Sequence, residues 1–300
     1  MTGIERVGVV GCGLMGAGIA EVCARAGLPV TVVERDAQAA RSGCLRIIRS
    51  LDRATARGKL SAERRDAAAD LITVVDQMEA LHDRDLVIEA VAEDERLKAD
   101  VFTCLDAVVT GDSAVLATNT SSVPVIRLAG VTGRPENVLG VHFFNPVPVL
   151  RLVELVPCLL TSTETATRAE AFVTGRLGKE VVRAPDRAGF VVNALLVPYL
   201  LAAVRMVESG GASAEDIDRG MVLGCAHPIG PLALTDLIGL DTTRAIAESL
   251  YAAFREPRFS PPPLLSRMVE AGLLGRKSGR GFHTYATEPQ GEAATPAGPR

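Results

Sequence analysis

The apolar run Val7–Val10 leads directly into Gly11-Cys12-Gly13-Leu14-Met15-Gly16, and no other junction in the chain restricts the fold as much. A helix-permissive stretch follows over residues 17–26. Gly27 and Pro29 end it, and a second β-branched run, Val30–Val33, begins. Strand, glycine turn, helix and parallel strand together make a βαβ unit. Within G-x-G-x-x-G, Gly11 allows the sharp exit from the strand, Gly13 lets backbone approach a pyrophosphate, and Gly16 lets helix and strand pack closely. The helix start, with Leu14 and Met15, presents unpaired N–H groups and the positive end of its dipole. Glu34 ends the second run at about the spacing at which an acid binds the ribose hydroxyls of NAD and repels a 2′-phosphate. A flexible glycine loop is the bland alternative, and Arg35 next door is the residue that would favour NADP. The ordered context favours NAD.

Net charge is −4, tryptophan is absent and aromatic residues are 4% of the chain. There is thus no electrostatic or stacking case for nucleic acid or an anionic membrane. No uncharged apolar stretch reaches the roughly 18 residues of a membrane helix, and the start of the chain lacks the pattern of a targeting leader. The six cysteines have neither C-x-x-C spacing nor histidine neighbours at zinc-ligand spacing. They read as small buried thiols in a reducing, cytoplasmic compartment, with no metal.

Residues 36–70 turn polar and helical, with Gly58 as a break and Ser61 as a fresh helix cap, so a helical hairpin interrupts the sheet. Apolar runs resume at 71–75, 86–91, 114–117, 138–144, 152–156 and 179–182, mostly alternating with helical segments. That alternation predicts an α/β fold: an N-terminal Rossmann-like, mainly parallel, doubly wound sheet carrying the inserted hairpin. After Pro185 the pattern becomes helical, with a long apolar helix over 190–208 and Ser213 capping the next. No strand pattern returns until 281–285. The expected division is an NAD-binding domain over 1–186, an all-α domain over 187–286, and a polar, Pro/Gly/Ala/Glu-rich tail over 287–300 expected to be disordered. The long helix is apolar nearly all round, which predicts a homodimer through the helical domain.

Four histidines are present, and His142 differs from the others. It closes an apolar strand and precedes Phe143-Phe144-Asn145-Pro146, at the end of the sheet where ligands bind in open α/β folds. Glu154 sits inside a later apolar run, where a carboxylate is costly without a partner. A His–Glu pair would serve as a general base for a hydroxyl, with the glutamate fixing the tautomer. From the pattern alone, a structural histidine and a strand-edge acid are equally good readings.

Several longer motifs resemble the L-3-hydroxyacyl-CoA dehydrogenases, including the short bacterial 3-hydroxybutyryl-CoA type. They are Thr118-Asn119-Thr120-Ser121-Ser122, the segment from His142 to Pro148, Leu152-Val153-Glu154, Gly189-Phe190-Val191-Val192-Asn193, His227-Pro228-Ile229-Gly230-Pro231 and Gly239-Leu240-Asp241-Thr242. The resemblance implies that His142 is the general base, Glu154 its partner, Ser121 a donor to the substrate oxygen, and Asn193 a donor from the second domain. It implies that Glu93, Lys98, Asn119 and Lys277 meet NAD, that Asn145 supports the substrate region, and that Ser50 and Arg57 meet the CoA moiety. Each has a plainer reading: Ser121 as a helix N-cap, Glu93 as a capping acid, Arg57 as part of a solvated helix face. The chain departs from the pattern at Ala194, where many relatives carry arginine, and in a hairpin poor in lysine. A dehydrogenase of carrier-protein-bound hydroxyacyl groups therefore stays open beside the CoA enzyme, as does a non-catalytic NAD-binding protein.

Overall fold

The computed structural model describes residues 3–285, so the expected tail over 287–300 lies outside the described residues. The chain divides into two compact units that meet between residues 191 and 192.

The first unit is built on an eight-stranded sheet of order β3-β2-β1-β4-β5-β6-β7-β8. Its strands are β1 (Val7–Val10), β2 (Val30–Val33), β3 (Ile72–Val75), β4 (Leu86–Glu89), β5 (Val115–Thr118), β6 (Val138–Phe143), β7 (Leu152–Pro157) and β8 (Glu180–Arg183). β1, β2, β4, β5 and β6 are buried along their whole length, as continuous Val/Leu/Ile runs in a sheet covered on both faces must be. All pairings are parallel except β6 with β7, which form an antiparallel pair around residues 144–151. The sheet is thus mainly parallel as expected, with one reversal: an eight-residue connection is too short for a parallel crossover. Strand order reverses between β1 and β4, the position where open α/β sheets bind ligands beyond the strand ends.

Helices α1 (Leu14–Arg25), α2 (Ala37–Ala56) and α3 (Ala62–Asp70) pack together, with α2 and α3 forming the hairpin between β2 and β3. Their starts are set locally. Asp36 accepts the Ala39 N–H at 2.7 Å and Ser61 that of Arg64 at 3.3 Å. α4 (Glu95–Val108) is capped by Asp94, and α5 (Val125–Ala129) has a remote cap: both Asp186 oxygens accept from Val125 and Ile126 N–H at 2.8 Å. α6 (Thr163–Ala171) follows β7.

The second unit is helical: α7 (Val192–Glu208), α8 (Ala214–Cys225), α9 (Pro231–Ile238), α10 (Leu240–Phe254) and α11 (Pro263–Glu270). Leu200, Leu201, Val204, Leu232, Leu250 and Leu265 are buried. Asp218 caps α9 through Leu232 and Ala233 N–H, both at 2.8 Å, and Asp236 accepts from Phe282 N–H, His283 N–H and the Tyr285 hydroxyl. The run expected to resume as a strand at 281–285 makes only isolated bridges, since a glycine-rich turn is held there by side chains. All six cysteines are free, but Cys44 and Cys225 are exposed; being buried holds for Cys12, Cys23 and Cys158. Cys104 is half-buried, and Cys44 and Cys225 occupy exposed positions on α2 and α8.

Candidate active site

A cleft of about 740 Å³ opens beyond the ends of β1, β2 and β4, lined by Gly11, Gly13, Glu34, Arg46, Ala90 and Val91 among others. Gly11 has φ +90°, a conformation that L side chains rarely adopt. A Cβ on Gly16 would stand 1.8 Å from the Gly11 carbonyl oxygen, so helix and turn touch there as the motif requires. A Cβ on Gly13 would meet nothing within 4 Å and would project into open space. Bare backbone facing a cleft at a helix N-terminus fits the diphosphate of a dinucleotide. Leu14 is exposed and Met15 half-buried in the first turn of α1. Glu34 lines the cleft and also braces the loop: its Oε1 accepts the Cys12 N–H at 2.6 Å. Arg46 of α2 donates to the Cys12 carbonyl, so that residue is gripped on both sides. Arg35, the residue that would welcome a 2′-phosphate, pairs with Asp36 at 3.2 Å.

A second group forms past β4 and β5. Glu93 Oε1 accepts from the Thr120 hydroxyl at 2.6 Å, from Ser121 and Ser122 N–H at 2.9 Å each, and from the Ser122 and Ser121 hydroxyls at 2.8 and 3.3 Å. Burial pushes its carboxyl up. The Lys98 ammonium and the hydrogen bonds from Thr120, Ser122 and Ser121 outweigh this and hold it at about 2. Glu93 therefore orders the Ser121 loop, and Asp94 is the capping acid. Ser121 does not cap α5 either, since Asp186 supplies that helix start. Lys98 is 1% exposed, with Nζ 2.7 Å from Glu89 Oε1 and 3.2 Å from Glu93 Oε2. It is locked inside this network and does not reach into the cleft. Glu89 is the functional residue that the sequence reading passes over. Wholly buried, it holds Lys98, the Thr118 hydroxyl and the Val91 N–H, each at 2.7 Å. Its signal matches that of Glu154, an acid inside an apolar strand.

The third group is the histidine pair. His142 and Glu154 are direct cross-strand partners in the β6–β7 register. Opposed residues bring their Cβ atoms to about 4.5–5.5 Å, which is why two positions twelve residues apart can meet. His142 Nδ1 lies 2.8 Å from Glu154 Oε2, and the Val191 N–H donates to Glu154 Oε1 at 3.0 Å. The glutamate is 0% exposed and the histidine 7%. Phe144 and Phe190 contact the imidazole edge to face, with centroids at 4.7 and 5.5 Å. Asn119 Oδ1 accepts the Phe143 N–H at 2.8 Å, tying the end of β5 to the strand that carries the histidine. A carboxylate at Nδ1 makes that nitrogen the N–H donor and leaves Nε2 as the basic site.

The remaining expected residues belong to other elements. Asn145 is exposed in the loop after β6. Ser50 and Arg57 lie on α2 and at its C-cap and do not line the cleft. Asn193 lies in the first turn of α7, and Lys277 pairs with Asp241 at 2.6 Å, both in the second unit.

Residues 6–187 match the family described as 3-hydroxyacyl-CoA dehydrogenase, NAD binding domain, and residues 189–285 match the 3-hydroxyacyl-CoA dehydrogenase C-terminal domain. The chain is 57% identical over 282 residues to a 3-hydroxybutyryl-CoA dehydrogenase of Mycobacterium tuberculosis, covering 94% of this chain and 99% of the relative. It superposes on the crystal structure of M. tuberculosis FadB2 with a TM-score of 0.94 at 57% identity, covering 95% and 100% of the two chains. For (S)-3-hydroxybutyryl-CoA dehydrogenase of Ralstonia eutropha the TM-score is 0.88 at 44% identity, covering 95% and 100%.

Proposed function

The chain belongs to the 3-hydroxyacyl-CoA dehydrogenase family, and from that premise we propose that it interconverts a short L-3-hydroxyacyl-CoA, such as 3-hydroxybutyryl-CoA, with the 3-oxoacyl-CoA. The buried His142–Glu154 pair at 2.8 Å carries the chemical part of this reading. NAD, when bound, supplies the hydride acceptor. His142 Nε2 takes the proton of the 3-hydroxyl, and Glu154 stabilises the imidazolium that forms. Such a base contributes about 10²–10⁴-fold. Glu93 holds the Ser121 backbone through its N–H, and the Ser121 hydroxyl turns from its long 3.3 Å bond to Glu93 to become a neutral donor to the substrate oxygen; Asn193 is assigned the same task. Gly11, Gly13, Leu14, Met15, Gly16 and Glu34 hold the cofactor. Glu93 borders it, while Lys98 and Asn119 hold its borders in place. Lys277 is assigned to the same cofactor, Asn145 to the acyl end, and Ser50 and Arg57 to the CoA end.

CoA is favoured over a carrier protein because the relatives above that are named for an activity are named for the CoA thioester. The exposed apolar side chains of the helical unit, including Leu195 and Leu223 at 73% each, support a homodimer through that unit. The free thiols support a cytoplasmic setting. No helix among the described residues is long and apolar enough to cross a membrane. The test is a substrate panel: purified protein with NADH is given acetoacetyl-CoA, acetoacetyl-pantetheine and acetoacetyl carrier protein, and nicotinamide absorbance is followed. The reading expects the highest kcat/KM on the CoA thioester. Turnover confined to the carrier protein refutes it.

A further inference from the structure

A second cavity, of about 160 Å³, is lined by Arg6, Asp83, Arg84, Asp85, Ser113 and Arg168 among others. These residues precede β1, β4 and β5 or lie on α6, so the cavity sits where the parallel strands start, at the edge of the sheet opposite the glycine loop. Its carboxylates are already matched. Asp83 pairs with Arg6 at 2.7 Å and Arg84 at 2.6 Å. Asp85 pairs with Arg6 at 3.4 Å and accepts the Glu5 and Arg6 N–H groups at 3.0 and 2.8 Å.

Arg168 is the cation left over. It is 8% exposed, its Nη1 donates to the Ser113 carbonyl at 2.5 Å, and its Nε is buried without a hydrogen-bond partner. Among the described residues it makes no ion pair. A guanidinium cannot shed its charge, and a buried charge with no counter-charge is strongly unfavourable. No described residue supplies that counter-charge. Arg84 engages Asp83 through Nε and Nη2, and Arg6 uses Nη1 and Nη2, so each keeps a further donor for a third acceptor. Donors from three arginines suit a tetrahedral oxyanion better than the two oxygens of a carboxylate.

We propose that this cavity binds a phosphate-class oxyanion on Arg168, tying the starts of β1 and β4 to α6. The site is remote from His142, so its occupancy raises stability and leaves turnover unchanged. The experiment uses the full chain saturated with NAD+, which keeps the cofactor cleft from answering for the probe. Thermal unfolding is followed against inorganic phosphate and against chloride at matched ionic strength, with calorimetry for stoichiometry. A saturable rise of about 2–4 °C in phosphate alone is expected once phosphate is in several-fold excess over Kd. Calorimetry should give one phosphate per chain. Arg168→Met removes the effect. Arg168→Lys, which keeps the charge without the planar fork, weakens binding by about tenfold and serves if the methionine variant does not fold. A rise that chloride reproduces, a rise that survives Arg168→Met, or no phosphate heat with the wild type overturns the proposal.

Discussion

Glu154→Gln keeps the shape of the buried acid and changes its hydrogen-bond logic. In the wild type one oxygen faces His142 Nδ1 at 2.8 Å and the other accepts the Val191 N–H at 3.0 Å. A glutamine can satisfy Val191 only by turning its oxygen that way. Its NH2 then faces Nδ1, which must accept, so the ring proton moves to Nε2 and the base is lost. The flipped amide restores the tautomer but sets an NH2 against the Val191 N–H, which costs about 1–3 kcal/mol. At about 1.4 kcal/mol per decade, the productive arrangement falls roughly 5- to 150-fold. Loss of the charge-assisted bond that stabilises the imidazolium, worth about 1.5–3 kcal/mol, takes a further factor of about 10–150. Together kcat should drop about 10²–10⁴-fold. Steady-state reduction of acetoacetyl-CoA by NADH reads this directly, with KM for NADH and the melting curve as controls. A kcat within about threefold of wild type would refute the tautomer argument.

Gly16→Ala sets a Cβ against the Gly11 carbonyl at 1.8 Å, so the loop must shift; NAD affinity by calorimetry should fall at least about tenfold, and an unchanged Kd contradicts the packing argument. Lys98→Met leaves Glu89 buried without its cation, which should cost about 3–5 kcal/mol in urea melts. The Glu93 carboxyl is depressed from 4.5 to about 2, so its contribution is complete above pH 4.5 and is lost as pH falls toward 2. The stability gap between wild type and Glu93→Gln should therefore be wide at pH 6 and narrower at pH 3; a gap independent of pH would show that the carboxylate charge is not what orders the Ser121 loop.

What was legible in the sequence was local. The glycine loop can be read because turn, helix start and acid lie within one βαβ unit, and Ser61 and Ser213 cap their helices as short-range pattern indicates. His142 and Glu154 stand out as polar residues inside apolar strands. Their antiparallel register explains the pairing but cannot be derived from spacing, since a connection turning one residue earlier or later would set a different residue opposite His142. Contacts across the fold are less accessible. Asp186 looks like a boundary residue and caps a helix some sixty positions earlier. Lys98 is singled out in the sequence only by the motif it sits in, and its ion pair with Glu89, whose own signal goes unused, appears only in the fold. Glu34 does double duty, facing the cleft while bracing the loop, because a short strand end brings its carboxylate within reach of the Cys12 amide.

His142 is assigned as the base of the reaction, with no part in holding the cofactor. The most direct measurement is kcat for His142→Gln beside its Kd for NAD+. A fall in kcat of about 10²–10⁴-fold is expected, with Kd near the wild-type value. Turnover that survives the substitution, or a loss of NAD+ affinity that accounts for the lost rate, would contradict it.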